Sequence, residues 1–256
     1  MLIKKVKSLI IKLYYRFGKS KKCIICNKPV RDFMPYNIGR QKPSAFTSRI
    51  DTVGSDVNNF SCPICRSTDR ERHLILYLEA LNIAYVFADS KILHFAPEYN
   101  LKKIILNKPC KEYIQADLFP QNTDIKKIDA CDIKYDDNYF DLVIFNHILE
   151  HIPDYKKAIS ELYRILKKGG YLIAQTPYSN LLKDNFEEEF INNDSDRIYF
   201  YGQADHVRKF SKSSLIKSFS EAGFQVQVYS HENLLNEIDP KYFGVNAKED
   251  FFLITK

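Results

Sequence analysis

The spacing of apolar residues divides the chain into two parts that meet near residue 90. In the first part, residues 2–17 carry apolar side chains at helical spacing, and a loop-like region containing cysteines follows to about residue 66. The stretch RSTDRERHLILYLEAL then predicts a helix, and Thr68 and Glu71 have the spacing of a capping box at its start. Beyond residue 90, short apolar strands alternate with amphipathic helices.

The second part of the chain predicts a regular succession of elements. KILHFA, KEYIQAD, YFDLVIFNHI, YLIAQTP, FQVQVYS and FFLIT are read as strands, and NLKKIIL and SKSSLIKSFSEAGF as helices. DYKKAISELYRILKKGG predicts an amphipathic helix closed by its two glycines, whereas residues 178–205 are polar and are expected to be irregular. Strands alternating with helices indicate an α/β fold with a mostly parallel sheet covered on both faces.

The positive charge is concentrated at the N-terminus. Residues 1–31 hold ten Lys or Arg and no acid, although the whole chain has a net charge of only +6. The remainder therefore has 28 bases and 32 acids, a net charge of −4, which argues against nucleic-acid binding by the body of the protein. No run of 18 apolar residues predicts a transmembrane helix, and the first residues do not resemble a secretory signal, so we expect a cytoplasmic protein.

The helix predicted over residues 2–17 has an apolar stripe and an entirely basic polar face. Such a helix can lie in the plane of a membrane with its lysines near anionic head groups, which would place the protein at the inner membrane face. The alternative is that its apolar residues pack on the protein's own core or on a partner subunit. The stripe consists of Leu2, Val6, Leu9 and Leu13.

Four of the six cysteines form two C-x-x-C pairs, Cys23/Cys26 and Cys62/Cys65, with 35 residues between the pairs. Two such turns facing each other would supply the four thiolates that structural Zn²⁺ prefers, with no open position for catalysis. A redox motif or separately buried cysteines are the alternatives. We expect the remaining cysteines, at positions 110 and 131, to be ordinary small apolar residues.

The residues that follow the predicted strands are the candidates for ligand binding, because open α/β sheets bind ligands at the carboxyl ends of their strands. The stretches ILHFAPE, YIQADL, DACDIKYDDNYFDLVIFNHILEHIPD and LKKGGYLIAQTP resemble, in order and spacing, the successive motifs of class I methyltransferases that depend on S-adenosylmethionine (SAM). The resemblance covers roughly residues 90–230. It implies a Rossmann-like, mostly parallel seven-stranded sheet with helices on both faces.

The resemblance also implies cofactor-binding residues. Asp117 ends the second strand, where the family has its ribose-binding acid, and Leu118 follows it; a loop acid that caps a helix is the alternative for Asp117. Asp129 and Ala130 match the pair that frames the adenine.

The turn after the first strand departs from the family pattern. His94 stands in place of the usual acid, and Ala96-Pro97-Glu98 replaces the glycines. A pyrophosphate needs free backbone N–H groups, which Pro97 reduces, and Glu98 would repel it. SAM carries an ammonium and a sulfonium instead, so Glu98 is expected to attract it, and the small Ala96 permits close approach.

Methyl transfer needs a positioned acceptor and, for an O or N nucleophile, a base that takes its proton. Asn146 and His147 match the family positions close to the transferred methyl group, and His147 is one candidate base. Asp205, His206 and Arg208 form a second polar cluster, which either holds a polar or anionic acceptor or is a salt-bridged loop. We take His147, His206 and Asp205 as the candidate catalytic residues. Glu150 and His151 are expected to be structural.

These observations predict a SAM-dependent methyltransferase that acts on an O or N nucleophile of a polar acceptor, with lipid- and glycan-linked compounds among the candidates. The alternative is an inactive Rossmann-like domain fused to a zinc-ribbon interaction module. The predicted organisation is a basic amphipathic helix over residues 1–22, a zinc-ribbon-like module over 23–68 and a methyltransferase domain over 69–256. A second alternative is nucleic-acid methylation, in which the zinc module and the basic N-terminus would grip phosphates. The near-neutral body and the lack of an N-P-P-Y-like tetrapeptide after the fourth strand argue against methylation of base amino groups, so a nucleic-acid partner is the less favoured expectation.

Overall fold

The computed structural model describes residues 10–39 and 43–256 of the chain, with a helical segment over residues 10–16. The strands are β1 (Lys21–Cys23), β2 (Lys28–Val30), β3 (Thr52–Val53), β4 (Lys91–Phe95), β5 (Glu112–Asp117), β6 (Lys126–Lys127), β7 (Phe140–Ile144), β8 (Leu166–Ile173), β9 (Tyr178–Ser179), β10 (Phe210–Ser211), β11 (Gln225–Tyr229) and β12 (Phe251–Thr255). The helices are α1 (Ala45–Arg49), α2 (Asp69–Ala80), α3 (Tyr99–Leu106), α4 (Tyr155–Ile165), α5 (Asp194–Tyr201), α6 (Lys212–Glu221), α7 (His231–Leu234) and α8 (Pro240–Phe243). Single 3₁₀ turns cover Tyr36–Gly39, Ala84–Phe87 and Leu149–His151.

The main sheet has seven strands in the order β11-β12-β8-β7-β4-β5-β6. β12 runs antiparallel to both of its neighbours, and the other pairs are parallel. The chain builds outward from β4 through β5 to β6 and then returns to β7 on the other side of β4. The topological switch point therefore lies between β4 and β7, and the predicted α/β fold with a mostly parallel seven-stranded sheet is confirmed.

Both faces of this sheet are buried, which explains why its central strands are continuous apolar runs. On one face Leu93 and Val143 belong to a core that includes Leu162 of α4 and Phe219 of α6. On the other face the neighbouring residues of the same strands join a second core. That core includes Ile92, Leu142, Leu78 of α2 and Ile105 of α3. The alternation along each strand fixes which face each helix covers.

The start of α2 confirms the predicted capping box. The Thr68 hydroxyl accepts the backbone N–H of Glu71, and the Glu71 carboxylate accepts the backbone N–H of Thr68 at 2.8 Å. The same carboxylate accepts the backbone N–H of Asn100 at 3.0 Å, in the first turn of α3. The capping residue therefore also fixes the start of α3 against the start of α2.

Two local predictions were wrong. α4 ends at Ile165, before its two glycines, which lie in β8. Gly169 has φ +76°, and a Cβ on Gly170 would lie 3.0 Å from the Asp141 carbonyl oxygen, so both glycines serve an irregular stretch of the strand. The region 178–205 contains β9 and α5, because aromatic side chains near α5 pack on Phe46 of α1.

The cysteine-bearing region has a core of only a few residues, and Arg72 of α2 connects it to the rest of the protein. The Arg72 guanidinium lies 3.8 Å from the Phe33 ring centroid and donates four hydrogen bonds to backbone carbonyls. These carbonyls belong to Asn59, Ser67, Phe243 and Gly244. A fully buried cation thus joins the cysteine module, α2 and α8.

The described part of the N-terminal helix presents its apolar side chains to solvent. Ile10 is 60% exposed, Tyr14 60% and Phe17 65%, and Leu13 is 39% exposed. Leu13 is therefore not fully buried in the protein's core, whereas Leu2, Val6 and Leu9 lie outside the described residues. Among the helices of residues 10–39 and 43–256, none is long and apolar enough to cross a membrane.

Candidate functional site

The carboxyl ends of β4 and β7 meet at the switch point, and each is followed by a strained residue. Ala96 has φ +42° and His147 has φ +55°, in the left-handed region that residues with a Cβ rarely adopt. Such conformations persist where the surrounding structure enforces them, and they are concentrated at ligand sites. Ala96 thus holds a glycine-like backbone conformation without a glycine.

Glu98 lies between these two strand ends and is held from both. Its carboxylate accepts a hydrogen bond from His94 Nε2 at 2.5 Å and another from Asn146 Nδ2 at 3.0 Å. His94 is buried, and its Nδ1 is 2.9 Å from the Tyr113 hydroxyl. The histidine that replaces the family's acid therefore positions an acid four residues later.

The charge on Glu98 follows from these contacts. Burial raises the pKa of Glu98. The hydrogen bond and charge of His94 and the hydrogen bond from Asn146 lower this pKa by more. The pKa of Glu98 is therefore below its ordinary value. Asn146 is fixed in turn, because its Oδ1 accepts the backbone N–H of Gln175 at 3.1 Å. The structure thus holds an ionised carboxylate at the predicted cofactor end of the sheet.

Helix α2 supplies a wall of this site that the sequence analysis missed. Arg70, His73 and Tyr77 lie on one face of α2 and line a cavity together with Glu98 and Asn146. Within the described chain, the Arg70 guanidinium makes no hydrogen bond or ion pair. The i, i+3, i+7 spacing of the three residues was a signal for one helical face, but the sequence does not show what that face covers.

A larger cleft of about 690 Å³ opens beside this cavity and shares Arg70 and Glu98 with it. Cys65 and Arg66 of the cysteine module form one of its walls, and Tyr99 of α3 lies in another. The volume is in the range of small-molecule sites. The cysteine module is therefore part of the site's boundary.

The residues predicted to bind the nucleoside lie further along the same edge of the sheet. Asp117 Oδ1 accepts the backbone N–H of Phe119 at 2.8 Å, and no described residue bonds its other oxygen. Leu118 is 44% exposed. The backbone N–H of Ile128 donates to the Asp117 carbonyl at 3.0 Å, which brings the exposed Asp129 and the buried Ala130 beside Asp117.

The candidate catalytic histidines converge on one buried carboxylate. Glu150 Oε1 lies 3.8 Å from His147 Nδ1, and Glu150 Oε2 accepts the Thr176 hydroxyl at 2.6 Å. Burial raises the pKa of Glu150, but the neighbouring His147 and His206 lower it to about 2. His206 is itself buried, which lowers its pKa to about 4, so this imidazole is neutral at pH 7.

The remainder of the 205–208 cluster has separate roles. Asp205 is exposed, and its Oδ2 lies 3.3 Å from His151 Nδ1. Arg208 is buried, pairs with Glu187 at 2.9 Å and donates to the carbonyls of Leu149, Ile152 and Pro153. Because the donors of Arg208 are already used inside the fold, its contacts favour the alternative of a salt-bridged loop.

The two C-x-x-C pairs form one cluster. The Sγ atoms of Cys23 and Cys65 are 3.6 Å apart, those of Cys26 and Cys62 are 4.0 Å apart, and all four lie within 4.8 Å of one another. All four are free thiols. Zn–S bonds of about 2.3 Å in a tetrahedron place sulfur atoms about 3.8 Å apart. Four thiolates at these distances fit a zinc ion.

Comparisons with known proteins place methyltransferases among the relatives of this chain. The profile of a family described as a methyltransferase domain matches residues 71–228. A demethylmenaquinone methyltransferase of Staphylococcus epidermidis is 38% identical over 54 residues, which are 21% of this chain and 22% of that protein. A ubiquinone/menaquinone biosynthesis C-methyltransferase of Pseudoalteromonas translucida is 27% identical over 124 residues, 43% of this chain and 49% of that protein.

This chain thus spans between about a fifth and a half of the length of these relatives. Among solved structures, a SAM-dependent methyltransferase from Archaeoglobus fulgidus has a TM-score of 0.49 and 16% identity, and the similarity covers 74% of this chain and 95% of that one.

Proposed function

Because this chain belongs to the methyltransferase-domain family, we propose that it transfers a methyl group from SAM to an acceptor bound beside His147. The observation that carries the proposal is the pair of strained residues, Ala96 and His147, at the carboxyl ends of adjacent strands, with Glu98 held between them. Strain at these two points brings backbone and side chain to the switch point, where open α/β sheets bind ligands.

The residues at this edge of the sheet fit the chemistry of SAM. Glu98 offers a carboxylate to the ammonium of the methionine part. Arg70, whose guanidinium makes no hydrogen bond or close ion pair with the described residues, faces the carboxylate of that part. Asp117 has an oxygen available for the ribose hydroxyls, and the neighbouring Asp129 and Ala130 are assigned to the adenine. When bound, SAM supplies an electrophilic methyl group on its sulfonium.

We assign the acceptor side to His147 and the cluster around Glu150. His147 is the third residue after β7, and its Nδ1 has no hydrogen-bond partner among the described residues. An imidazole beside a buried carboxylate is suited to take a proton from an oxygen or nitrogen nucleophile. We therefore propose a polar acceptor of this kind, with lipid- and glycan-linked compounds included; the relatives named for menaquinone and ubiquinone share only short stretches with this chain.

Release of S-adenosylhomocysteine tests the activity. Purified full-length protein is incubated with SAM and panels of hydroxyl- and amine-bearing lipids, glycans and small metabolites. We expect release with one acceptor class and its loss in His147→Ala. If no panel gives release although SAM binds, the acceptor assignment is wrong.

We further propose that Cys23, Cys26, Cys62 and Cys65 hold a structural zinc ion. With so small a core in this module, the metal would stabilise its fold directly and thereby hold the cleft wall formed by Cys65 and Arg66. Metal analysis of purified protein is expected to give one zinc per chain at this site, lost in Cys62→Ser and kept in the control Cys110→Ser. Protein that holds no zinc would refute the assignment.

We also propose that the N-terminal helix binds anionic membrane surfaces. Ile10, Tyr14 and Phe17 are largely exposed, and Lys12 and Arg16 accompany them. Burial of these apolar side chains in the membrane interface favours binding. Attraction to anionic head groups adds about 1 kcal/mol of binding free energy for each basic residue near the surface, and together these give reversible attachment. Flotation with anionic vesicles should recover the full chain but not Phe17→Ser. Absence from anionic vesicles would end this proposal.

A further inference from the structure

A second group of potential metal ligands offers oxygen and nitrogen instead of the sulfur of the cysteines. It consists of the Glu150 carboxylate and the imidazoles of His151 and His206. One ligand atom from each lies within 4.8 Å of the other two. Glu150 is 2% exposed and His206 is 3% exposed, so solvent water has little access to hydrogen-bond their polar atoms. We propose that these three side chains bind a divalent transition-metal ion.

His206 has the hydrogen-bond pattern of a metal ligand. Its Nδ1 lies 3.1 Å from the Tyr201 carbonyl oxygen and donates to it, so the proton resides on Nδ1 and the lone pair on Nε2. That Nε2 is buried and has no partner among the described residues. Histidine ligands to metals usually donate their other ring nitrogen to a backbone carbonyl or a carboxylate in this way. A buried nitrogen without a partner lowers the stability of the fold by its desolvation free energy, unless a ligand binds to it.

The other two ligands are oriented by similar contacts. His151 Nδ1 lies 3.2 Å from the Asp205 carbonyl oxygen and 3.3 Å from Asp205 Oδ2, which leaves Nε2 for a metal. The Glu150 carboxylate is oriented by the Thr176 hydroxyl at 2.6 Å. Every proposed ligand therefore has a neighbour that fixes its direction. Asp205, one of the candidate catalytic residues, is then a positioning residue for His151.

The three ligand atoms are close enough to converge on one ion. Metal–nitrogen and metal–oxygen bonds of about 2.1 Å place neighbouring ligand atoms roughly 3.0–3.4 Å apart. The ligand atoms of Glu150, His151 and His206 all lie within 4.8 Å of one another, and the partly exposed His151 can move inward to bring them to bonding distance. Two imidazoles, one carboxylate and open positions are the ligand set of Fe²⁺, Mn²⁺, Co²⁺ and Zn²⁺ sites with exchangeable waters.

Lys209 competes with a metal for Glu150. It is 2% exposed, and its electrostatic neighbour in the interior is Glu150. Replacing this lysine by an apolar residue removes the competing cation, so the affinity for a divalent ion should rise. This direction of change distinguishes a metal site from a histidine cluster that merely packs.

The metal would lie next to His147, on the acceptor side of the site. Its open positions would bind and polarise an acceptor hydroxyl; this role, unlike the metal site itself, rests on the proposed methyltransferase function.

Manganese binding to the full-length, zinc-loaded protein tests the site directly. Mn²⁺ is the divalent first-row ion with the weakest general affinity and prefers oxygen and imidazole ligands, so it leaves the thiolate cluster to zinc. Electron paramagnetic resonance measures the free ion during a titration without SAM or acceptor. We expect one Mn²⁺ per chain, at least tenfold weaker binding in His206→Asn and Glu150→Gln, and tighter binding in Lys209→Met.

Controls keep the result interpretable. His231→Asn alters a buried histidine outside the cluster and should bind Mn²⁺ like the unaltered chain. If the two buried-ligand variants fail to fold, His151→Gln, at a half-exposed position, should still weaken binding at least tenfold. Absence of bound Mn²⁺, or unchanged binding in folded His151→Gln, overturns the site. SAM affinity is measured on the same samples, so failure of the cofactor assignment is seen separately.

Discussion

Replacement of Arg72 by methionine tests whether the cysteine module is structurally coupled to the cofactor site. Methionine keeps an unbranched stem over the Phe33 ring but removes the guanidinium. The four carbonyls that Arg72 joins belong to the cysteine module and to the chain around α8. Arg72 is also two residues from Arg70, which lines the proposed cofactor cavity.

The expected loss of stability follows from the number and burial of these contacts. Hydrogen bonds from a charged donor contribute about 1.5–3 kcal/mol each, so four would sum to roughly 6–12 kcal/mol if they were independent. They share one side chain, and relaxation admits water to some of the carbonyls. Breaking a buried charge network typically costs about 3–5 kcal/mol, and we expect about 4 kcal/mol for Arg72→Met. In a chain of this size each kcal/mol lowers Tm by about 2–4 °C, which gives a decrease of roughly 8–16 °C.

Urea unfolding and zinc release by a chelator measure the two consequences. Arg72→Met should unfold at lower urea and release zinc faster than the unaltered chain. Arg70→Met is the matched control, because this arginine lies on the same helix and makes no polar contact within the described structure. It should change stability by less than about 0.5 kcal/mol while weakening SAM binding. A loss below 1 kcal/mol for Arg72→Met would refute the coupling.

Three further substitutions examine the cofactor and acceptor ends of the site. Asp117→Ala should leave the fold intact and weaken SAM binding by about 1.5–3 kcal/mol for each ribose hydrogen bond lost, measured by calorimetry; unchanged affinity would return Asp117 to a role in its loop. His206→Ala should lower kcat by about 10²–10⁴-fold with little change in SAM affinity, and unaffected turnover would make His206 structural. Ala96→Gly should stabilise the protein by roughly 0.5–1 kcal/mol in urea unfolding, because relief of the left-handed strain, about 1–2 kcal/mol, exceeds the added chain entropy; a loss of stability would contradict the strain argument.

The fold was largely predictable because its signals are local. Strands β4, β7 and β12 of the main sheet are short, mostly apolar runs, and the capping box at Thr68 satisfies backbone groups within one turn. α5 was missed because its aromatic residues gain a partner only when Phe46, far away in sequence, packs on them. Gly169 and Gly170 were assigned to a helix end because both a helix cap and an irregular stretch of strand favour glycine. The sequence alone does not distinguish the two.

The site was predictable only where it follows strand ends. Glu98, Asn146 and His147 are adjacent because parallel strands end at one edge, a consequence of topology that the pattern already implied. Arg70 was missed because its place in the cavity depends on how α2 packs. The two readings of Arg208 stayed open because sequence does not reveal burial, and burial decides whether a guanidinium is free for a ligand.

SAM binding measured by titration calorimetry on the full-length, zinc-loaded protein tests the central claim most directly. The account predicts one SAM per chain, and at least tenfold weaker binding in Glu98→Gln, which keeps the size of the side chain but removes the charge that faces the ammonium. Absence of binding by the folded, unaltered chain would contradict the account and favour the inactive-domain alternative.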